Sequence, residues 1–239
     1  MKNSSQILTL WLALGIAIAL NIGLWAHSHK IYPIWNNIPI PPSDFTIKSA
    51  FLGDDIFAYR AGGIVLQNFG SVGAAQPLKD YNYDHLGEWF QVMDKLDPKS
   101  NFVPFLAAYF FSATQNPAQL PPVIAYLEEI GMRPGKWRWL AQAAYLARHR
   151  MENMDEALRL ARKLGSIYDP KTMPNWTSNM EPMLRAEMGD KQAAYLLMLE
   201  ILKANADRMN PSEVNSTVSL ICEEILTPKE AAANPICKK

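Results

Sequence analysis

The feature that most constrains this chain is an uncharged apolar segment close to its amino terminus. Residues 7–26 read ILTLWLALGIAIALNIGLWA, and Asn21 is the one amide among them. A helix of twenty residues is about 30 Å long, which matches the hydrocarbon thickness of a bilayer. Trp11 and Trp25 stand towards its two ends, where aromatic side chains favour the membrane interface. The pattern predicts a transmembrane helix within residues 1–30, with membrane contact through residues 7–26.

A cleaved secretory signal is the alternative interpretation of this segment. The amino terminus and Lys2 supply the basic start of such a signal. However, the apolar core of a signal peptide is usually only about 7–15 residues long. The exit sequence LWAHS at 24–28 also lacks a small–x–small cleavage site. We therefore expect an uncleaved signal-anchor helix.

A proline-rich stretch follows, with the sequence IYPIWNNIPIPPSDFT at residues 31–46. Its prolines lack backbone N–H donors and favour extended backbone, so the stretch predicts a semi-rigid linker. The apolar residues between the prolines indicate contact either with the body of the protein or with lipid headgroups. The prolines are Pro33, Pro39, Pro41 and Pro42.

Beyond residue 46 the apolar residues recur at spacings of three and four, which is typical of amphipathic helices. In the segment 155–168, for example, Ala157, Ala161 and Leu164 share one face. No segment shows the alternation of a half-buried strand, so we predict an all-α chain. The predicted helices are 49–68, 82–96, 101–114, 118–131, 136–151, 154–167, 175–188, 191–207 and 211–226.

The joints between these helices repeat. Asp97-Pro98, Arg133-Pro134 and Asp169-Pro170 each follow a helix, and each lies 36 residues from the next. A pair of short helices every 36 residues is close to the tetratricopeptide period of about 34. Residue types agree with that period. The segment 136–170 carries a bulky Trp139 and small Ala144 and Ala147, which would let paired helices approach closely.

These motifs resemble those of divergent tetratricopeptide-like proteins of bacteria that have one amino-terminal membrane helix. The resemblance covers about residues 50–205 and implies a helical-hairpin solenoid of about four helix pairs at 47–207. It implies a concave protein-binding face rather than a reaction. The motifs are Ala-Tyr-Arg-Ala at 58–61, Leu-Asp-Pro at 96–98, Gly-Met-Arg-Pro at 131–134 and Met-Asp-Glu-Ala-Leu at 154–158.

Orientation in the membrane is weakly encoded, because Lys2 precedes the apolar segment and Lys30 follows it. The short amino-terminal flank favours a cytoplasmic amino terminus. For a bacterial chain this predicts a single-pass protein of the inner membrane with a periplasmic body. In that oxidising compartment Cys222 and Cys237 could pair, whereas two unpaired thiols are the equal alternative. Residues 208–228 predict a capping helix, and 229–239 a frayed tail.

Composition and motifs argue against catalysis and against nucleic-acid binding. Lys and Arg together number 23, as do Asp and Glu, so there is no general excess of positive charge. His27 and His29 form a polar flank to the membrane helix rather than a metal site. His85 and His149 have no second histidine at ligand spacing, and Gly62-Gly63 indicates close helix packing. We expect no enzyme activity, no cofactor and no metal.

Charge is uneven along the predicted repeats. Residues 133–163 hold eight basic residues against Glu152, Asp155 and Glu156. They could be an ordinary solvated face, or a basic band that meets an acidic partner segment or anionic headgroups. In the second case Arg148 and Arg150 are candidate binding residues. The basic residues are Arg133, Lys136, Arg138, Arg148, Arg150, Arg159, Arg162 and Lys163.

Aromatic residues are frequent in the predicted helices. Tyr109, Trp137 and Trp176 are candidate anchors for a peptide or helix in a groove, and packing between repeats is the alternative. The resulting hypothesis is a membrane-anchored scaffold or assembly factor that binds another protein. A structural accessory subunit of a multisubunit membrane complex is the second hypothesis. In that case Asn21 and the two glycines of the membrane helix would contact other helices.

Overall fold

The computed structural model describes residues 2–28, 38–70, 76–205 and 207–238, and every regular element in these ranges is helical. The all-α prediction is confirmed. The α-helices are α1 (Lys2–Ser28), α2 (Asp44–Ala50), α3 (Asp55–Gln67), α4 (Tyr83–Leu96), α5 (Phe102–Phe105), α6 (Pro121–Gly131), α7 (Trp137–His149), α8 (Met154–Ser166), α9 (Trp176–Glu187), α10 (Lys191–Asn205), α11 (Pro211–Ser219) and α12 (Pro228–Ala233).

Two of these helices continue as wider π-helical turns. The segment Leu106–Phe110 follows α5 and is itself followed by a 3₁₀ turn at Phe111–Ala113. The segment Leu220–Ile225 follows α11. Further 3₁₀ turns are Leu78–Asp80, Pro117–Gln119 and Pro235–Cys237.

The predicted helix 49–68 is wrong at its start. The structure has two helices there, α2 and α3, separated by a turn at residues 51–54. Gly53 adopts φ +82°, which ends α2, and the Asp54 carboxylate accepts a hydrogen bond from the N–H of Phe57, which begins α3. Asn153 begins α8 in the same way by accepting from the N–H of Glu156.

Helix α1 is the one helix in the described ranges that is long and apolar enough to cross a membrane. Its side chains are exposed from Gln6 to Ser28. An apolar helix of this length whose described side chains are exposed matches the predicted membrane segment.

The described end of the proline-rich stretch contacts the body. Residues 31–37 of the predicted linker 31–46 lie outside the described residues, which resume at Ile38. The last three residues of the predicted linker, 44–46, already belong to α2. Ile38 is buried, and its carbonyl oxygen lies 2.8 Å from Nδ1 of His85 on α4. The indole N–H of Trp89 donates to the carbonyl of Pro39 at 2.8 Å. The sequence left open whether this stretch contacts the body or the lipid headgroups. Residues 38 and 39 contact the body.

Consecutive helices from α6 to α10 pack side by side along the chain. Small residues permit the closest approaches: a Cβ on Gly131 would lie 2.2 Å from the backbone nitrogen of Leu140 at the start of α7. A Cβ on Gly63 would lie 3.1 Å from the Phe102 ring, so Gly62-Gly63 serves helix packing. Ala143 and Ala147 of α7 are fully or almost fully buried. The main core extends from Ile38 to Leu184.

Hydrogen bonds also connect points about one predicted repeat apart. The Lys136 ammonium donates to the carbonyl of Ser100 at 2.8 Å, and the Arg150 guanidinium donates to the carbonyl of Thr114 at 2.6 Å. Both pairs are separated by 36 residues in the chain. These two bonds therefore join the two ends of the segment 100–114 to the two ends of the segment 136–150.

The carboxyl-terminal part has a second, smaller core. Ala194, Met198 and Leu202 of α10 pack there against Ile221 and Ile225. The expected frayed tail is instead folded, since it contains α12 and the 3₁₀ turn that ends at Cys237. Cys222 and Cys237 form a disulfide with a Cα–Cα distance of 5.8 Å, which decides between the two cysteine alternatives.

Replacing Gly131 by alanine should destabilise the protein by about 2–3 kcal/mol, because backbone atoms of Leu140 occupy the space of the new methyl group. Gly165→Ala is the matched control. Gly165 is exposed in α8 with nothing within 4 Å of its Cβ position, so alanine there should stabilise by about 0.5–1 kcal/mol. Urea unfolding followed by circular dichroism measures both. Equal effects of the two variants would contradict the close approach.

Loss of the disulfide should release the carboxyl-terminal segment. Closing a loop of 15 residues contributes about 3 kcal/mol, so Cys222→Ser combined with Cys237→Ser should speed tryptic cleavage after Lys229. Cleavage after lysines of the main core serves as the internal reference and should stay unchanged. If cleavage after Lys229 were equally slow with and without the bond, the disulfide would not hold this segment.

Candidate protein-binding groove

Helix α7 has two distinct faces. Leu140, Ala143 and Ala147 point into the core, whereas Arg138 and Tyr145 on the other side are exposed. The helical period of 3.6 residues produces this division, because 138 and 145 are seven positions apart. The exposed side of α7 forms the floor of a groove between α9 and the segment 102–113, which consists of α5 and the turns after it.

Three adjoining cavities make up this groove, with volumes of about 550, 290 and 360 Å³. Tyr109 lines all three, and Trp137 with Arg138 lines the first two. Gln142 and Tyr145 line the second and third. We call this surface the aromatic groove, defined by Phe105, Tyr109, Trp137, Arg138, Tyr145 and Trp176.

The aromatic side chains of the groove are arranged in contact with one another. The rings of Trp137 and Trp176 meet edge to face with centroids 5.9 Å apart, and those of Phe105 and Tyr109 are 5.0 Å apart. Tyr109, Tyr145 and Trp176 are each about half exposed. Such rings offer apolar area to a ligand without large conformational entropy to lose.

The guanidinium of Arg138 lies 5.4 Å from the centre of the Trp137 ring, a cation–π arrangement. Within the part of the chain that the structure describes, Arg138 has no carboxylate within ion-pair distance. The groove therefore combines apolar rings with one exposed positive charge.

The π-helical turn Leu106–Phe110 contributes to this surface. An additional residue in the turn exposes both Tyr109 and Phe110, while Leu106 and Ala107 remain buried. Single π-helical turns are frequent at functional sites. The predicted helix 101–114 did not indicate this turn.

The five candidate binding residues do not all lie together. Tyr109, Trp137 and Trp176 border one cavity, and Arg150 borders the adjoining one. Arg148 instead forms an ion pair with Glu187 of α9 and lines none of the three cavities. The Arg150 guanidinium donates to the carbonyl of Thr114. Both arginines thus connect successive helix pairs.

Most residues of the basic band form ion pairs or hydrogen bonds with other parts of the protein. Arg133 pairs with the buried carboxylate of Asp94 at 2.7 Å, and Arg162 pairs with Glu181 at 3.2 Å. Lys136 donates to the carbonyls of Lys99 and Ser100, and burial lowers the pKa of its ammonium group. These contacts bind elements together, so Arg138 is the cation of the band that the groove presents.

Several groove residues were not among the sequence candidates. Phe105, Arg138 and Tyr145 belong to the groove, and Gln142 lies between the last two on α7. The available signal was the spacing 138, 142, 145 and 149, which marks the side of α7 opposite to its alanines.

Metal ligation finds no support in the described ranges, which contain no group of three His, Cys, Asp or Glu side chains arranged for an ion. His29 lies outside these ranges. His85 bonds the linker, and the His149 ring stacks near Tyr145 with centroids 4.5 Å apart.

Comparison of the chain with models of protein families, with curated proteins and with solved structures finds no match. A function for the groove therefore has to be argued from its own residues.

Glu128 of α6 lies at the centre of a cluster of charged side chains. The Arg159 guanidinium donates to both of its oxygens, at 2.8 and 2.5 Å, and Lys163 donates as well. The Glu128 side chain is only 16% exposed. The hydrogen bonds from Arg159, aided by Lys163, lower the pKa of Glu128 from 4.5 to about 2.

Glu128→Gln should therefore cost about 1–2 kcal/mol of stability at neutral pH. Because the pKa is lower in the folded state, the stabilisation is present above about pH 4.5 and is lost as the pH falls towards 2. Urea unfolding at neutral and acidic pH should show the difference between wild type and variant shrinking with acid. The exposed Glu200→Gln is the control, with no difference at either pH.

Proposed function

We propose that this protein is a membrane-anchored, non-catalytic scaffold or assembly factor that binds a segment of another protein in the aromatic groove. The observation that carries the proposal is the groove itself. Three aromatic residues from different helical segments, Tyr109, Trp137 and Trp176, surround one cavity beside Arg138, which has no carboxylate partner among the described residues. Trp, Tyr and Arg are the residues most often found to dominate binding energy at protein interfaces.

The body that presents the groove is, in this proposal, a tetratricopeptide-like solenoid. Consecutive packing from α6 to α10 and hydrogen bonds at 36-residue separation support that architecture. In such an array the alternate helices α5, α7 and α9 line the concave side. The groove residues come from these three segments and from the joint before α7.

The ligand that this surface suits is a peptide or helix with apolar side chains and a carboxylate. Apolar groups would fill the space between the rings, and the carboxylate would pair with Arg138, where partial burial strengthens the attraction. The groove offers no nucleophile beside a base and no metal-binding cluster in the described ranges. Binding is therefore the activity that its chemistry supports.

The anchor would confine this binding to the membrane surface. Restricting the protein to two dimensions raises its effective concentration towards a partner that is also membrane-bound. We place the body on the periplasmic side of a bacterial inner membrane. The short flank before the apolar run and the bond between Cys222 and Cys237, which persists in an oxidising compartment, support this placement.

A structural accessory subunit of a membrane complex is the second candidate. Helix α1 leaves Gly15 and Gly23 open, with nothing within 4 Å of either Cβ position. Gly23 also borders a shallow apolar depression beside Ile16 and Leu20. Small residues and Asn21 could bring other transmembrane helices into close contact there.

Affinity purification from the native host separates the two candidates. Tagged full-length protein in mild detergent and the segment 38–239 are purified in parallel, and mass spectrometry identifies the partners. The segment starts at Ile38 because that residue is buried in the body. A partner that follows both preparations supports the groove. A partner that follows only the full-length chain supports contact through α1.

Arg138→Glu tests the groove directly in the same experiment. It should reduce recovery of the partner at least about tenfold, since it reverses the exposed charge of the site. Arg208→Glu is the matched control, because Arg208 is also exposed and lies outside the groove. Equal recovery with both variants would remove the groove as the binding element.

A further inference from the structure

The start of the body exposes an unusual number of large apolar side chains. Leu52 is 98% exposed, Phe45 81% and Ile40 71%. Ile56 and Phe57 at the start of α3 are about half exposed. We call these five residues the amino-terminal corner. The other end of the chain differs, since α11, α12 and the disulfide cover the carboxyl-terminal core.

The corner is formed by Ile40, by α2 and the turn after it, and by the start of α3. Phe45 lies on the side of α2 opposite to the buried Ile47. Leu52 lies at the tip of the turn, and the ring of the preceding Phe51 contacts the Phe57 ring edge to face at 5.1 Å. The turn that carries Leu52 is therefore packed against the start of α3.

Leu52 is in an unfavourable conformation for its residue type. Its φ of +54° lies in the left-handed region, where glycine or asparagine would be less strained. An almost fully exposed leucine gains no packing within the chain that would offset this strain. Exposed apolar side chains on strained backbone are expected where they contact another apolar surface, such as a membrane or a partner protein.

The short distance along the chain from α1 to the corner indicates that this apolar surface is the membrane. Helix α1 ends at Ser28, and only residues 29–37 separate it from Ile38, which is buried in the body. Nine residues, fully extended, bridge at most about 35 Å. The corner begins two residues after Ile38, so it cannot lie far from the membrane that α1 would enter. Tyr32 and Trp35 in the intervening sequence also favour a membrane interface.

The charges around the corner do not oppose contact with lipid. Lys48 pairs with Asp55 at 3.1 Å, and Lys95 pairs with Asp44 at 3.6 Å. Asp54 accepts the helix-capping hydrogen bond from Phe57. Each of these charged side chains thus has a partner before any contact with the bilayer, which limits the cost of partial dehydration.

We propose that the amino-terminal corner inserts into the headgroup region of the bilayer beside α1 and so fixes the orientation of the body on the membrane. This inference rests on the membrane anchorage of the proposed function. Phe45, Leu52 and Phe57 are the inserting residues. The contact gives the body a second attachment, and it determines the direction in which the aromatic groove opens.

Site-specific fluorescence in lipid vesicles tests the insertion. Both native cysteines are in the disulfide, so one introduced cysteine is the only free thiol for a polarity-sensitive label. Full-length Leu52→Cys is reconstituted into phosphatidylcholine vesicles with and without nitroxide-bearing lipid. Leu196→Cys is the matched control, an exposed leucine on α10, and Leu20→Cys reports on the anchor helix.

The label at position 52 should lose at least about half of its emission to the nitroxide lipid and should emit at shorter wavelength. The label at 196 should show neither change and should be quenched by aqueous iodide. Adding Phe45→Glu to Leu52→Cys should restore most of the emission. Adding Leu196→Glu instead should leave the quenching unchanged.

Three results would overturn the inference. If position 20 is quenched by lipid while position 52 behaves like 196, the anchor stands and the corner does not insert. If position 52 is shielded from iodide but not quenched by lipid, a protein covers the corner instead. If position 20 is not quenched either, the anchorage fails and the corner contact fails with it.

Discussion

The close approach of α6 and α7 at Gly131 is the contact on which the groove depends. Because Gly131 has no side chain, the backbone of Leu140 can occupy the space beside it, and α7 starts directly against the end of α6. Trp137 and Arg138 lie in the first turn of α7, so this contact also determines where they stand. The buried alanines of α7 and α8 have a similar effect, because their short side chains let the helices pack at a small distance.

Several charged residues of this protein join different helices. Arg133, Arg148 and Arg159 each reach a carboxylate on another helix, and Arg150 reaches a backbone carbonyl. A cluster that resembles a binding surface in sequence is thereby largely neutralised. Arg138 differs because it lies over an aromatic ring instead of beside an acid. A single exposed cation among apolar rings favours a selective ligand over any polyanion.

The two ends of the body are secured in different ways. At the start, Ile38 and Pro39 bond to α4 directly after the segment that leads from α1. At the other end, the disulfide joins Cys237 to the π-helical turn Leu220–Ile225, and Asn234 donates a hydrogen bond to the hydroxyl of Tyr195 on α10. A body that is docked at its first residues and closed at its last can present the groove in a defined direction. That property suits the proposed role as a scaffold at the membrane.

Local physics made much of the fold predictable from the sequence alone. Helical periodicity located α4, α7 and α8 to within two residues, and the 36-residue spacing of the joints anticipated the separation of the Lys136 and Arg150 hydrogen bonds. The uncharged apolar run indicated α1. Other features depend on contacts between distant residues and were decided only by the tertiary structure. They include the pairing of Cys222 with Cys237, the internal partners of Arg148 and Arg150, and the exposure of Arg138. The sequence contains every one of these residues, but only packing determines which of them meet a partner and which remain exposed.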